Sequence, residues 1–127
     1  MDIEKGIIGK AEMIVTEKDT ALHVGSGSLP VLATPVLSAL MERAAVDALK
    51  NRLPDGETTV GGMIDLRHKA PTLAGKKVRA EAEVTEISGK KIEFHITCED
   101  ENGEVGEANH IRFIVNEVSF MAAAKER

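Results

Sequence analysis

Hydrophobic positions follow a helical period in one long segment, from Thr34 to Lys50, and a period of two in most segments after it. Thr34 has the chemistry of a helix N-cap, and Pro35 suits the first helical turn. Asn51 and the turn Pro54-Asp55-Gly56 end the helical pattern. We therefore predict a helix over residues 35–50.

Alternating apolar and polar residues predict strands on both sides of this helix. The predicted strands are residues 9–16, 58–69, 78–85, 92–99 and 105–115. Residues 21–24 are predicted to continue the extended chain ahead of a flexible loop, Gly25-Ser26-Gly27-Ser28. Asn102-Gly103 predicts a tight hairpin turn. A short helix is predicted at residues 117–125.

The order of elements predicts an α+β fold in which an antiparallel sheet wraps around one long central helix. A chain of 127 residues has the size of one domain, so residues 1–127 are expected to share a single core. Because only 2% of the residues are aromatic, that core must consist of aliphatic side chains, alanine and methionine.

Charge and composition exclude several classes of function. A formal net charge of -5 provides no basic surface for a phosphate backbone, and three Phe without Tyr or Trp leave little for bases to stack on, so no nucleic-acid partner is expected. The Walker A motif, the dinucleotide fingerprint and the serine-hydrolase nucleophile elbow are absent from the sequence.

The same composition predicts a cytoplasmic protein without a membrane segment. The most apolar stretch, residues 29–41, is too short to span a bilayer, and the first residues lack the pattern of a secretory signal. Cys98 is the only cysteine, which excludes an internal disulfide. The histidines lack the spacing of a zinc motif, so no metal is assigned.

Glu42 is the first candidate for chemistry. At 100° per residue, Arg43, Asp47 and Lys50 form one polar arc of roughly 60° on the helix, and Glu42 lies outside it on an apolar flank. Burial tends to raise the pKa of a carboxyl group toward the range useful for acid–base catalysis. The alternative is that Glu42 reaches solvent or pairs with a lysine of another element.

Three further positions carry both a functional and a structural interpretation. His68 ends a predicted strand, where its side chain could reach the rim of a cleft, although a histidine there is more often structural or solvated. Thr34 could direct its hydroxyl toward a substrate carbonyl or a water, but N-capping alone also explains it. Gly61-Gly62 inside a strand indicates either close approach by a ligand or second chain, or a β-bulge.

Together, these residues resemble a known pattern. Ala33-Thr34-Pro35 opens the helix, Glu42 follows, and His68-Lys69-Ala70-Pro71 closes a strand. With Gly61 ahead of the histidine and the segment His110-Ile111-Arg112, residues 6–115 resemble the fluoroacetyl-CoA thioesterase-like family of the hot-dog fold superfamily.

The resemblance implies a catalytic set for acyl-CoA thioester hydrolysis at Thr34, Glu42 and His68, with Gly61 and Arg112 as substrate-binding residues. It also implies a homodimer with acyl-CoA sites at the subunit interface, and pairing of dimers into a tetramer stays open. No cofactor is implied, because CoA is part of the substrate. The aromatic lid of the fluoroacetyl-specific enzyme is replaced by the Gly25-Ser26-Gly27-Ser28 loop, so another short or medium acyl group is expected.

Helix geometry separates the implied residues. Thr34 and Glu42 lie eight residues apart, which places their Cα atoms roughly 12 Å apart along the axis with about 80° between their directions. Either the substrate spans the two, or helices of two subunits bring Glu42 of one near Thr34 of the other.

The sequence therefore predicts a thioesterase in which Glu42 activates water or attacks directly, His68 orients the water or protonates the thiolate, and Thr34 positions the thioester. The alternatives are a noncatalytic protein that binds acyl-CoA or another small ligand, and a hydratase of the same fold.

Overall fold

The computed structural model describes residues 2–127; Met1, part of the predicted domain of residues 1–127, lies outside the described residues. Within this range the chain forms five strands, three α-helices and one 3₁₀ turn. In chain order these are β1 (Ile8–Ile14), the 3₁₀ turn (Glu17–Asp19), α1 (Ala21–Val24), α2 (Thr34–Ala48), β2 (Glu57–His68), β3 (Lys77–Ser88), β4 (Lys91–Asp100), β5 (Gly103–Asn116) and α3 (Glu117–Lys125).

The strands form one antiparallel sheet in the order β1-β3-β4-β5-β2. Strands β3, β4 and β5 are joined by tight hairpins, with Ser88 opposite Lys91 and Asp100 opposite Gly103. The first two strands of the chain lie at opposite edges of the sheet, since β1 pairs only with β3 and β2 only with β5 among residues 2–127.

Helix α2 fills the concave face of this sheet. Its buried side chains recur at helical spacing and are Leu37, Leu40, Met41, Ala44, Ala45 and Ala48. The helix contacts both edge strands, β1 and β2, as well as β3 and β4. The sheet curls around α2.

The approach between β1 and α2 is especially close at Gly9. A Cβ atom at this position would lie 2.2 Å from both the Ala44 carbonyl oxygen and the Ala48 backbone nitrogen. Next to it, the backbone N–H of Lys10 donates a 2.9 Å hydrogen bond to Oδ2 of Asp47. Because Gly9 has no side chain and Ala44 and Ala48 have small ones, the backbones of β1 and α2 can approach closely.

Most predicted elements are confirmed. The α+β arrangement and the five strands appear with shifts of a few residues at their ends, and α3 has the predicted bounds. No helix within residues 2–127 is long and apolar enough to cross a membrane.

The extended chain predicted for residues 21–24 is wrong, because these residues form the short helix α1. The hydroxyl of Thr20 accepts a 3.4 Å hydrogen bond from the His23 N–H, which caps the start of the helix. Gly25, with φ of 89°, ends it in the left-handed conformation that favours glycine.

The N-cap predicted at Thr34 is also wrong. Helix α2 begins at Thr34, so the capping position belongs to Ala33, which provides no side-chain cap. Its last residue is Ala48 rather than Lys50, and Leu49 continues into a turn. The threonine hydroxyl is therefore available for a contact outside the helix.

Candidate active site

The first polar group of the site pairs the start of α2 with the end of β2. Oγ1 of Thr34 lies 2.8 Å from Nδ1 of His68, within hydrogen-bond distance. The Thr34 backbone is fixed by the preceding residues, since the N–H of Ala33 donates to the Asp19 carbonyl at 2.9 Å. His68 is fixed by β-pairing with Gly106 of β5. Two rigid elements thus meet at this pair.

The environment of His68 favours a neutral ring. Burial lowers the pKa of His68 below its usual value of 6.5, and a hydrogen bond to the Ala70 backbone raises it in part. Nε2 is buried and has no hydrogen-bond partner within residues 2–127. Nδ1 is therefore the ring nitrogen through which His68 can share a proton with the Thr34 hydroxyl.

An open groove of about 260 Å³ surrounds the Thr34–His68 pair. One wall comes from the segment that precedes α2, and the other from the residues that follow β2. Its lining residues are Ala21, Ser26, Val31, Leu32, Thr34, His68, Lys69, Ala70 and Pro71. The groove is small, and its polar side chains are those of Ser26, Thr34, His68 and Lys69.

The second polar group forms around Glu42, farther along α2. Oε2 of Glu42 accepts a 3.2 Å hydrogen bond from Nη1 of Arg112 on β5. The side chain of Glu42 is 39% exposed, so the burial expected from its place on the helix is partial. The carboxylate of Glu42, expected on an apolar flank of the helix, is instead paired with the guanidinium of Arg112 on β5.

Arg112 is held by several groups at once. Only 7% of this residue is exposed, and Nε donates to the Thr59 hydroxyl at 2.9 Å while Nη2 donates to the Thr59 carbonyl at 3.1 Å. Nη1 also lies 3.2 Å from Nε2 of His110. Burial lowers the pKa of Arg112, whereas Glu42 raises it, and the guanidinium stays charged at neutral pH.

Gly61 leaves the space into which Glu42 reaches. A Cβ atom at Gly61 would lie 2.6 Å from Oε2 of Glu42 and 3.4 Å from Nη1 of Arg112. The β-pairing of β2 with β5 shifts register between Gly61 and Met63. The β-bulge interpretation of the Gly61-Gly62 pair is confirmed. The group that approaches Gly61 closely is Glu42 of the same chain, and approach by a ligand or a second chain stays a prediction.

The structure brings the five predicted site residues together as two groups rather than one. Thr34 contacts His68, and Glu42 contacts Arg112 beside Gly61. Within residues 2–127, no hydrogen bond or salt bridge joins the two groups. Such a separation is expected from the eight-residue spacing of Thr34 and Glu42 along the helix, which corresponds to a rise of roughly 12 Å.

Sequence reasoning did not select two residues of the second group, His110 and Thr59. His110 appears in the family resemblance only within the segment His110-Ile111-Arg112, with no role of its own. A usable signal was its spacing from Arg112, because residues two apart on a strand share a face and both of these are buried. Thr59 had no comparable signal, since its partner, Arg112, lies 53 residues away in the sequence.

Comparison with known proteins relates the chain to thioesterases. The sequence profile of the family described as fluoroacetyl-CoA-specific thioesterase matches residues 15–118. The chain is 30% identical over 97 residues to the fluoroacetyl-CoA thioesterase of Streptantibioticus cattleyicolor, covering 76% of this chain and 70% of that protein.

Solved structures give the same relationship. A fluoroacetyl-CoA thioesterase structure superposes with a TM-score of 0.93 at 25% identity, covering 100% of this chain and 98% of that one. A thioesterase-superfamily protein from Thermus thermophilus gives a TM-score of 0.92 at 26% identity, covering 99% and 94%. A hot-dog-like protein from Thermanaerovibrio acidaminovorans, at 23% identity, gives 0.91 over 100% of this chain and 97% of that one. The predicted hot-dog fold is confirmed.

Proposed function

Because the chain belongs to the family of fluoroacetyl-CoA-specific thioesterases, we propose that it hydrolyses a short or medium acyl-CoA thioester to a free acid and CoA. The family's members are thioesterases, which are hydrolases, as the sequence predicted. The observation that carries the proposal is the 2.8 Å contact between the Thr34 hydroxyl and His68 in an open groove.

In the proposed reaction, the oxygen of a water molecule bonds to the thioester carbonyl carbon, and the C–S bond breaks. The hydroxyl and the backbone N–H of Thr34 position the thioester and stabilise the charge that develops on its carbonyl oxygen. Pro35 has no N–H, and the N–H groups of Val36 and Leu37 donate to the Ala33 carbonyl. The neutral His68 ring orients the reacting water and passes to the departing thiolate the proton that Glu42 takes from that water. The products are the free acid and the CoA thiol.

Glu42 acts in this proposal as the general base that takes a proton from the reacting water. In the nucleophilic alternative, its carboxylate displaces the thiolate and forms an anhydride, which water then hydrolyses. Arg112 orients the carboxylate, and it contacts only Oε2. Within residues 2–127, Oε1 of Glu42 has no hydrogen-bond partner. That oxygen is therefore the one that meets water or the acyl carbon.

A homodimer is part of the proposal, because the two groups of one chain lie apart along α2. Exposed apolar side chains on neighbouring elements support an interface beside Glu42: Val46 is 49% exposed, Met63 42% and Phe113 40%. We infer that Glu42 of one protomer faces the Thr34–His68 pair of its partner. The alternative is an extended substrate that spans both groups of one chain.

The acyl group is proposed to differ from fluoroacetyl, although the related protein of S. cattleyicolor is named for that substrate. Ser26, from the Gly25-Ser26-Gly27-Ser28 loop, lines the groove with a small side chain, and the wall opposite includes Pro71. Small residues on the rim favour a less closed acyl pocket than an aromatic lid would form.

A thiol-release assay tests the function directly. The purified chain is supplied with acyl-CoAs of graded length and polarity, including acetyl, fluoroacetyl, short branched and aryl groups, and released CoA is detected with a thiol reagent. Turnover that peaks at short or medium acyl groups supports the proposal. Measurable binding without release across the whole panel contradicts it and supports the noncatalytic alternative. Hydration of an enoyl-CoA without release would indicate a hydratase.

A further inference from the structure

His110 is a buried histidine that the proposed reaction does not use. It lies on β5 between Ile64 of β2 and Phe94 of β4, and only 1% of it is exposed. Its ring packs against Phe94 with the two ring centroids 5.9 Å apart. A polar ring so deeply buried must find hydrogen-bond partners for both nitrogens, or its burial destabilises the fold.

Each nitrogen of His110 has one partner, and the two partners are chemically opposite. Nδ1 lies 2.7 Å from the Met63 carbonyl oxygen, which can only accept, so Nδ1 carries a proton. Nε2 lies 3.2 Å from Nη1 of Arg112, which can only donate, so Nε2 is unprotonated. The contacts are satisfied together by one form alone, the neutral ring protonated at Nδ1.

The electrostatic surroundings agree with this form. Burial lowers the pKa of His110; the Met63 carbonyl raises it, Arg112 lowers it and Glu42 raises it. Oε2 of Glu42 is 4.0 Å from Nε2, beyond hydrogen-bond distance. If the ring were protonated, the Nε2–H of His110 would face the N–H of Arg112 Nη1. Two donors on two positively charged groups would then be in contact.

The hydrogen bond from Arg112 to His110 completes the orientation of the guanidinium. Nε and Nη2 are occupied by Thr59, and the two protons of Nη1 are divided between His110 and Glu42. Without an acceptor at His110, the planar guanidinium could tilt about its Thr59 contacts and move Nη1 away from the carboxylate.

We propose that His110 is a positioning residue, whose Nε2 holds Nη1 of Arg112 at the point from which Arg112 orients Glu42. The inference rests on the proposed function, in which Glu42 meets water or the acyl carbon. His110 touches neither the substrate nor the reacting atoms. Its effect is on the orientation of Glu42 and therefore on kcat more than on KM.

Two amide substitutions separate this role from a merely structural one. His110→Asn places an amide near the Nδ1 position and can still bond the Met63 carbonyl, but it lacks an acceptor for Arg112. His110→Gln places an amide oxygen near the Nε2 position and can accept from Arg112. We expect His110→Asn to lower kcat about 10- to 100-fold with little change in KM, and His110→Gln to recover a large part of that loss.

The matched control is His95→Asn, on the exposed face of β4. His95 contacts Asn109 and Glu107 on the outer surface, so its substitution is expected to leave kcat within about twofold. Equal kcat values for His110→Asn and His110→Gln, or full activity of His110→Asn, would overturn the proposal. Thermal melts show whether a loss of kcat comes from unfolding.

The protonation state of His110 supplies a readout that needs no activity and no substitution of the histidine itself. In ¹⁵N-histidine NMR spectra of the wild-type protein at neutral pH, we expect the Nδ1–H form for His110. In Arg112→Lys, which loses the Nη1 donor, this single form should give way to a mixture. An Nε2–H ring or an imidazolium in the wild type contradicts the inference. If the wild type releases no CoA, the proposed function fails while the spectra still test the geometry of His110.

Discussion

At the scale of single residues, Glu42 owes its position to partners distant in sequence. The helical period placed it on an apolar flank, where an isolated carboxylate would be costly to bury. Arg112, 70 residues away in sequence, compensates the charge, and Gly61 leaves room for it. The residue that looked misplaced on a helix is the partner of a buried guanidinium.

Replacing this carboxylate with an amide tests its chemistry. Glu42→Gln keeps an oxygen that can accept from Arg112 but removes the base or nucleophile, so we expect kcat/KM to fall about 10²- to 10⁴-fold. Because the buried guanidinium also loses its counter-charge, the melting temperature should fall, and turnover is measured well below it. The same change at Glu86, a 52% exposed residue paired with Lys5 on the surface, should leave turnover intact. Undiminished kcat/KM in Glu42→Gln excludes the proposed role.

His68 should make stability depend on pH. Its pKa is lower in the folded than in the unfolded chain, so the unfolded state binds more protons near and below pH 6.5. The stabilisation is present above pH 6.5 and is lost as pH falls through the folded pKa. We therefore expect the free energy of unfolding, measured by urea titration, to decrease from about pH 7.5 to about pH 5, and less steeply in His68→Gln. An equal decrease in both proteins would show that His68 does not contribute.

At the scale of elements, the contact between β1 and α2 determines how closely the sheet can curl. Gly9 is the point of closest approach, and the carbonyl of Ala44 and the backbone of Ala48 occupy the space where a side chain would lie. Neither backbone can move aside as a side chain could. The rest of α2, including Thr34 and Glu42, is oriented through this contact.

A methyl group at Gly9 should therefore destabilise the fold. We expect Gly9→Ala to lower the free energy of unfolding by about 2 kcal/mol, as in other overpacked cores. Lys10→Ala, at the next residue and on the exposed side of the strand, should change it by no more than about 0.5 kcal/mol. Chemical denaturation of the two variants and the wild type compares these values; an unchanged midpoint for Gly9→Ala would show that the helix can shift.

The elements with sustained periodicity were predictable from the sequence, and the short or long-range features were not. The alternation along β3 and β4 determines both their type and the face they bury. The four residues of α1 are too few to show a period, so the cap at Thr20 decided their structure. Thr34 followed by proline fits a cap as well as a first helical residue.

The candidate site was predictable only as a set of residues. The resemblance to a family named Thr34, Glu42 and His68, but nothing in the sequence gives the 2.8 Å contact of Thr34 with His68, 34 residues apart. The tautomer of His110 depends on a carbonyl 47 residues away. Such contacts follow from strand register, which is determined by the whole sheet.

At the scale of the whole molecule, the two polar groups of one chain are complementary but separate. One provides a hydroxyl and a neutral imidazole, and the other a charged carboxylate with its guanidinium. In the proposed two-fold dimer, each group of one protomer faces the opposite group of the other, which creates two equivalent sites. The proposed reaction requires both groups at one thioester.

Mixing two inactive proteins tests the shared site. If Glu42 acts across the interface, a mixed dimer of Thr34→Ala and Glu42→Ala chains has one intact site. Random reassembly should then recover roughly a quarter of wild-type activity, because half of the dimers are mixed and each has one of two sites. Mixtures no more active than their parents, despite subunit exchange shown by tagged chains, contradict a site shared between protomers.

The placement of β1 and β2 at opposite edges of the sheet has a consequence for biosynthesis. A ribosome delivers β1, α2 and β2 before any strand that pairs with them, since β1 waits for β3 and β2 waits for β5. The hairpins of β3, β4 and β5 are local and close rapidly, whereas the edge pairings span long stretches of chain. The apolar face of α2 thus stays uncovered until late in translation. Glu42 meets Arg112 only when nearly the entire chain has emerged.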